Sequence, residues 1–234
     1  MQDGKKHKKT LLEKAYQSIL NDIITHKLKA DQKINIKELA KRYGTSEMPI
    51  KLALNRLVAE NIIINRPHQG MRVFSMTARD VEEIFEMRTM IDLYDVPQII
   101  KSAAANPLLL KKMEDCNKEM EKQFMQLNES ANVESYLESY KYDMKFHELY
   151  LSGSGNRKLV QLFHSIHPFA YTYLLFQKQS TERNMLGVAE HRQIVQALKD
   201  QDEDLVRQYV TKHNQNAAET IKLFLSVNDI LKTS

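Results

Sequence analysis

A chain of 234 residues with 42% hydrophobic and 27% charged residues has the length and balance for one large water-facing domain or two modest ones, each with a core. Only 6 glycines and 5 prolines, with no alternating β-branched run outside residues 62–74, predict a mainly α fold. No apolar run approaches the ~20 residues of a membrane span, and the lysine-rich start has no apolar segment behind it to make a signal peptide. The formal charge of +4 is unevenly spread. Residues 1–76 carry 15 Lys and Arg against 7 Asp and Glu, and the remainder carries 19 against 23. A basic first part joined to a mildly acidic second part predicts that only the first touches a polyanion. A solvated lysine tail would account for the lysines between positions 5 and 9, but not for the rest.

Residues 1–10 show no periodicity and are expected to form a disordered basic arm. Residues 11–76 read as one small domain. Leu12, Ala15, Tyr16, Ile19, Leu20 and Ile23 recur at helical spacing. Asn35 is a good N-cap for a second helix, with Glu38 placed as in a capping box, Leu39 and Ala40 inward, and a stop near Gly44. Ser46 caps a third helix that tolerates Pro49 in its first turn and buries Ile50, Ala53, Leu54 and Leu57. Two helices about a tight turn make a helix-turn-helix. Ile62–Ile64 and Met71–Phe74, on either side of a Gln69-Gly70 tip, add a small β wing. The expected unit is a winged helix-turn-helix, a reader of duplex DNA.

The run Ile34-Asn35-Ile36-Lys37-Glu38-Leu39-Ala40, followed by Gly44-Thr45-Ser46-Glu47-Met48-Pro49-Ile50-Lys51-Leu52-Ala53-Leu54, resembles the GntR family of bacterial repressors. The shared features are the Leu-Ala, Gly-x-Ser, Pro-x-basic and Ala-Leu framework and the glycine at the wing tip. The resemblance implies that the helix after Ser46 enters the major groove. It also implies that Lys37, Glu47, Met48 and Lys51 meet the DNA, with wing contacts from His68, Gln69 and Gly70. Arg56 and Arg72 are added to that set on charge alone. The chain departs from the family where arginine is usual at positions 37, 47 and 51. Lysine supplies a point charge in place of a bidentate fork, and Glu47 can accept from cytosine N4 but cannot bind phosphate. His26, Asp31 and Asn61 stand where the family commonly has glycine, and Asn61 still tolerates a left-handed backbone. An operator unlike the usual family sequence is expected.

Residues 77–230 are expected to form an all-helical bundle of about six helices. Thr77 caps a long helix with Val81, Ile84, Phe85 and Ile91 inward. Arg88 interrupts that stripe, one turn before Asp92. A cation on an apolar face must pair. The pair is either an internal bridge or an anion-binding guanidinium, oriented by Asp92, that lines a pocket. Val96-Pro97 should end or kink this helix. Asn106-Pro107 opens a highly charged helix to about Leu127, expected at the periphery. It holds the single cysteine, Cys116, which cannot form an internal disulfide and fits a reducing cytoplasm. Helices over 133–151, 181–199 and 202–227 follow, and residues 156–177, nearly apolar all round, are expected to form a central helix.

Asp143 and His147, four residues apart, share a helix face with Tyr136, Tyr140, Met144 and Leu151. A polar group buried unpaired costs about 2–7 kcal/mol, and a metal ion is one partner that satisfies both. His191 lies on the stripe of Val188, Ile194, Val195 and Leu198. His213 lies on that of Val206, Val210, Ala217, Ile221 and Phe224. A lone histidine on an apolar face is more often a satisfied core residue, but here one acid and three imidazoles from three helices all face inward. That donor set suits Zn²⁺, Ni²⁺, Fe²⁺, Mn²⁺ or Co²⁺.

The run Phe146-His147-Glu148-Leu149 through Ser152-Gly153-Ser154-Gly155-Asn156-Arg157-Lys158-Leu159 is similar to the FCD domain, the ligand-sensing half of the FadR subfamily. Glu190-His191-Arg192-Gln193-Ile194 and the later His213 match its other signatures. The resemblance implies that Asp143, His147, His191 and His213 coordinate a metal, with an effector, often a small carboxylate, beside or on it. Arg88 and Asp92 match an Arg-x-x-Leu-Glu motif, with Ile91 for leucine and aspartate for glutamate. His164 and His167 lack such a match and are expected to pack.

The expected function is a cytoplasmic DNA-binding transcription regulator, a repressor that binds a palindromic operator as a homodimer and responds to a small organic acid. A metal-dependent enzyme using metal-bound water is the rival class. It lacks a general base, because Glu148 and Glu190 stand one residue from His147 and His191, ~100° round the helix. An architectural DNA binder with a structural metal is the other alternative.

Overall fold

The computed structural model describes residues 10–126, 133–166, 172 and 181–233, apart from the side chains of 134 and 227–233. Residues 1–9 of the expected basic arm, and His167, lie outside them. The chain divides into two compact units, Met1–Ser75 and Met76–Ser234.

In the first unit, α1 (Leu11–Ile24) starts at Thr10, whose hydroxyl accepts from the Glu13 amide at 3.1 Å. The next helix, α2 (Ile36–Arg42), starts at Asn35, whose Oδ1 accepts from the amides of Lys37 and Glu38 at 3.1 and 3.3 Å. Ser46 precedes α3 (Glu47–Ala59) as expected, but its side chain makes no capping bond. The turn between α2 and α3 depends on Gly44 at φ +62°. There the Thr45 amide reaches the Ala40 carbonyl at 3.0 Å and the Gly44 amide reaches that of Lys41 at 3.3 Å. This 6→1 and 5→2 pair closes the helix in a left-handed turn that a residue without Cβ adopts freely. Strands β1 (Ile63–Arg66) and β2 (Gly70–Val73) pair antiparallel, with Ile63 opposite Val73 and Arg66 opposite Gly70. Ile19, Ile24, Ile50, Ala53, Leu54, Leu57 and Ile63 are fully buried and form the core. Asp22, also buried, accepts from the Tyr43 hydroxyl at 2.7 Å and from Arg42 Nη1 at 3.0 Å, which ties the end of α2 to α1. His26, Asp31 and Asn61, the three residues standing in for family glycines, all have positive φ, at 59°, 58° and 55°.

The described residues of the second unit form seven helices: α4 (Ala78–Leu93), α5 (Val96–Ala105), α6 (Pro107–Gln126), α7 (Val133–Ser152), α8 (Arg157–Ser165), α9 (Thr181–Asp200) and α10 (Glu203–Thr233). The additional helix is α5. The chain breaks at Tyr94–Asp95, and Pro97 lies in the first turn of a new helix, where its missing N–H is not needed. α6 is charged outside, yet it buries Leu109, Met113, Met120 and Phe124 and packs on α7 and α9, so it is not peripheral. α8 buries only Leu159 and Phe163, and Leu162 is exposed. Its apolar residues Leu159, Val160, Leu162 and Phe163 share one face and its polar residues are exposed, so the described part is not the expected central helix. The remainder of 156–177 lies outside the described residues except Ile166 and Thr172. α10 packs on α4 and α9, and a core of residues from α4 to α10 includes Ile91, Ile99, Phe146, Leu151, Phe163, Ile194 and Val206. Gly153, at the end of α7, allows α5 close. A Cβ there would meet the Tyr150 carbonyl at 3.0 Å and Ile99 Cγ2 at 3.2 Å.

Between α9 and α10, exposed Gln201 takes φ +56°, and the Asp202 amide reaches the Ala197 carbonyl at 3.1 Å. A left-handed non-glycine residue is strained, so Gln201→Gly is expected to stabilise the chain by about 0.5–1 kcal/mol after the glycine's own entropy is subtracted. A higher urea midpoint at unchanged slope is the expected reading.

Candidate functional site

Four helices of the second unit aim polar side chains at one buried region. From α7, the i, i+4 spacing sets Asp143 Oδ1 3.6 Å from His147 Nε2. From α9, His191 Nε2 stands 3.4 Å from the same oxygen. From α10, His213 completes a set in which one nitrogen from each of the three imidazoles lies within 4.8 Å of the others. His147, His191 and His213 are 3%, 0% and 7% exposed, so their rings are withdrawn from bulk solvent. The three histidines form the compact set, and half-buried Asp143 stands against two of them.

The protonation of each ring follows from its neighbours. Burial, then the nearby Arg88 and His213, holds His147 well below its ordinary pKa. Burial, then the His213 charge, does the same to His191 against a smaller opposing pull from Asp143. Both are therefore neutral near pH 7, each with one ring nitrogen that can accept. Arg88 Nη2 donates to His147 Nε2 at 2.5 Å, which makes that nitrogen an acceptor. His213 Nδ1 lies 2.8 Å from Glu190 Oε2, and Asn216 Nδ2 donates to Glu190 Oε1 at 2.7 Å. A carboxylate on Nδ1 holds the proton there and turns Nε2 inward as a ligand atom. Burial raises the Glu190 carboxyl, but the hydrogen bonds and charge of His213 and Asn216 outweigh it and bring the group below its ordinary value. His191 is positioned differently. Its ring stacks on Phe146 with centroids 3.8 Å apart and planes 5° apart, and neither of its nitrogens makes a hydrogen bond among the described residues.

A divalent transition ion fits this arrangement. Buried imidazoles supply borderline-soft nitrogen donors, Asp143 supplies an oxygen, and one His191 nitrogen, unbonded among the described residues, would gain a partner. Glu190, Asn214 and Asn216 were not picked out by their spacing. Glu190 is off the His191 face, as expected, and for that reason it reaches α10. Glu148 pairs outward with Lys145 at 2.7 Å and His164 at 3.0 Å. His164 is therefore an exposed surface partner, and the packing role expected for it is not found.

Arg88 and Asp92 are each 1% exposed, with Arg88 Nε 3.6 Å from Asp92 Oδ2. Asn214 Nδ2 donates to the same Asp92 oxygen at 3.0 Å, and burial raises the Asp92 carboxyl despite Arg88. Arg88 also lines a cavity with Asp143 and His213, so the bridge and the pocket coexist.

On the first unit, Lys37, Met48, Lys51, His68, Gln69 and Gly70 are exposed and Glu47 is half-buried. Met48 is 63% and Leu52 48% exposed, an apolar pair one turn apart on α3 that suits thymine methyl groups. Glu47 Oε2 lies 3.4 Å from Lys51 Nζ across that turn. Arg56 and Arg72 are engaged within the unit. Arg56 reaches Glu60 at 3.0 Å and Glu13 at 3.2 Å and lies over the Tyr16 ring, and Arg72 holds Asp31.

A basic winged helix-turn-helix joined to a helical unit with a buried imidazole cluster defines a DNA-binding, ligand-sensing class of protein. Residues 11–73 match the bacterial regulatory proteins of the gntR family and residues 83–216 match the FCD domain. The chain belongs to the GntR family, in its branch carrying an FCD domain, and is a DNA-binding transcription regulator, not an enzyme. It is 26% identical to the HTH-type transcriptional regulator YdhC of Bacillus subtilis, over 88% of this chain and 89% of that one. To the HTH-type transcriptional repressor GlaR of Escherichia coli it is 24% identical, over 90% of each. The solved E. coli McbR/YncC structure shares the fold, with a TM-score of 0.66 at 17% identity over 93% of this chain and 100% of that one. Among the described residues no helix is long and apolar enough to cross a membrane.

Proposed function

We propose that this regulator is a cytoplasmic, homodimeric repressor that releases a palindromic operator when a small organic acid binds beside a divalent transition ion held by Asp143, His147, His191 and His213. The observation carrying this reading is the convergence of three buried imidazoles, with neither His191 nitrogen hydrogen-bonded among the described residues. The ion, whether Zn²⁺, Ni²⁺, Fe²⁺, Mn²⁺ or Co²⁺, supplies a Lewis-acidic charge for an acid's oxygen atoms. Arg88 adds a guanidinium on the same cavity, Asp92 orients it, and Glu190 sets the His213 tautomer. The repressor sign is carried over from GlaR. Release requires the acid to bind one arrangement of the helices more tightly than the other.

At the DNA, Lys37, Glu47, Met48 and Lys51 meet the major groove and His68, Gln69 and Gly70 the backbone beside it. Arg56 and Arg72, already neutralised by acids of their own unit, support the fold. One recognition helix reads a half-site, so a two-fold pair reads a palindrome. Glu47→Arg is expected to change base preference by about 1–3 kcal/mol at one position of each half-site, read by band shift on a set of operators. Unchanged preference removes Glu47 from the specifying set.

A thermal-shift series with small carboxylates, with and without chelator, tests the sensor. The expected result is an acid-induced rise in Tm only in the metal-loaded protein, paired with operator release in a band shift. If no acid binds near the metal, a structural ion in an architectural DNA binder is the better description.

A further inference from the structure

We infer that Leu52 reads DNA beside Met48, and that the two side chains cover the 5-methyl groups of thymines in each operator half-site. This deepens the operator reading above and rests on its placing α3 in the major groove. Met48, Lys51, Leu52 and Asn55 recur at i, i+3, i+4 and i+7 and are all exposed. Pro49, Ile50, Ala53, Leu54 and Leu57 form the buried side of the same helix. Leu52 thus stands on the outward face with the basic and amide side chains and not with the core. Among the described residues of the first unit, the other exposed large hydrophobic is Leu11, at the start of α1, so Met48 and Leu52 are not part of a general scatter.

The charges of that face cancel, because Lys51 Nζ lies 3.4 Å from Glu47 Oε2 across the first turn. The N-terminal turns of a recognition helix are the part that reaches base edges. Here they run Glu47 to Ala53 and present an ion pair beside an apolar pair, with no arginine to fork onto guanine. What the major groove offers an apolar side chain is the thymine methyl. Four residues of helix rise ~6 Å, about two base-pair steps of ~3.4 Å, so Met48 and Leu52 meet different base pairs. Covering one methyl is worth roughly fourfold in affinity, the scale of one buried carbon group.

The test uses duplexes that the full chain selects from a randomised pool. Each thymine is replaced in turn by deoxyuridine, which keeps the base pair and deletes only the methyl, and binding is followed by fluorescence anisotropy. The wild-type chain is expected to lose about fourfold per methyl at two thymine positions of each half-site. Leu52→Ala should become indifferent to deoxyuridine at one of those positions and Met48→Ala at the other, whereas Leu52→Met keeps the response. Alanine at an exposed helix position preserves the helix, which circular dichroism melts and gel filtration check. A selected consensus without thymine in its half-sites, a wild-type chain unmoved by deoxyuridine, or a Leu52→Ala chain that keeps the full response overturns the methyl contact. So does a Leu52→Ala chain altered in oligomeric state but not in thymine response, which makes the pair a protein–protein surface. Replacing purines by their 7-deaza forms, which lack the major-groove N7 acceptor, tests the underlying reading separately. Binding weakened by 7-deazapurines but not by deoxyuridine leaves α3 in the groove without the methyl contacts. Binding weakened by neither overturns the placement of α3 itself.

Discussion

Replacing His191 with leucine is expected to abolish stoichiometric uptake of a divalent transition ion without destabilising the metal-free chain. The imidazole is fully buried and neither nitrogen has a hydrogen-bond partner among the described residues. Such a group costs about 1–3 kcal/mol. Leucine fills a similar volume and removes that cost, although it gives up the stack on Phe146, worth about 0.5–1.5 kcal/mol. The two effects roughly cancel, or leave the variant slightly more stable in chelator. With ion present the balance reverses. A ligand held only by the folded state stabilises it by about 4 kcal/mol at a thousandfold excess over Kd, and His191→Leu forfeits that gain. An ordinary core residue would behave in the opposite way, losing stability with or without ion. Ion-dependent stabilisation that survives in the variant would remove His191 from the ligand set.

The Arg88–Asp92 pair carries the other large effect. Arg88→Met leaves Asp92 at 1% exposure with Asn214 as its remaining side-chain hydrogen-bond partner among the described residues, and breaking one half of a buried pair typically costs about 3–5 kcal/mol. Arg88→Met with Asp92→Leu removes both charges and should recover most of that stability, a coupling that a double-mutant cycle in urea would measure. The double variant also separates the two roles of Arg88. If the guanidinium receives the effector's anion, the refolded double variant regains its Tm but not its response to carboxylates. If Arg88 only bridges Asp92, stability and response return together.

The helices and their ends were largely legible in the chain because the forces that set them act within four residues. Asn35 and Thr77 accept amide hydrogens at the positions their spacing implied, and Gly44 closes its turn through bonds to Ala40 and Lys41. Asp143 and His147 had to share a face once a helix was granted. Local rules were less reliable where two of them competed. Val96-Pro97 by itself implies an end or kink, whereas the proline also suits the first turn of α5. The apolar content of residues 156–177 implies a central helix, but content says less about burial than spacing does, and α8 buries one face only.

By itself, the sequence determined a basic helix-turn-helix with a wing, a second helical unit, and an inward face for each of Asp143, His147, His191 and His213. Only the tertiary structure decided that those faces meet, with three imidazole nitrogens inside 4.8 Å, that Glu190 crosses to His213, and that Arg183 and Arg88 line one cavity. It also decided that Arg56 and Arg72 pair with acids of their own unit. The physical reason is range. A backbone hydrogen bond or a helix face is set by neighbours a turn away. A contact between side chains dozens of residues apart depends on how whole helices pack, and no local pattern records that.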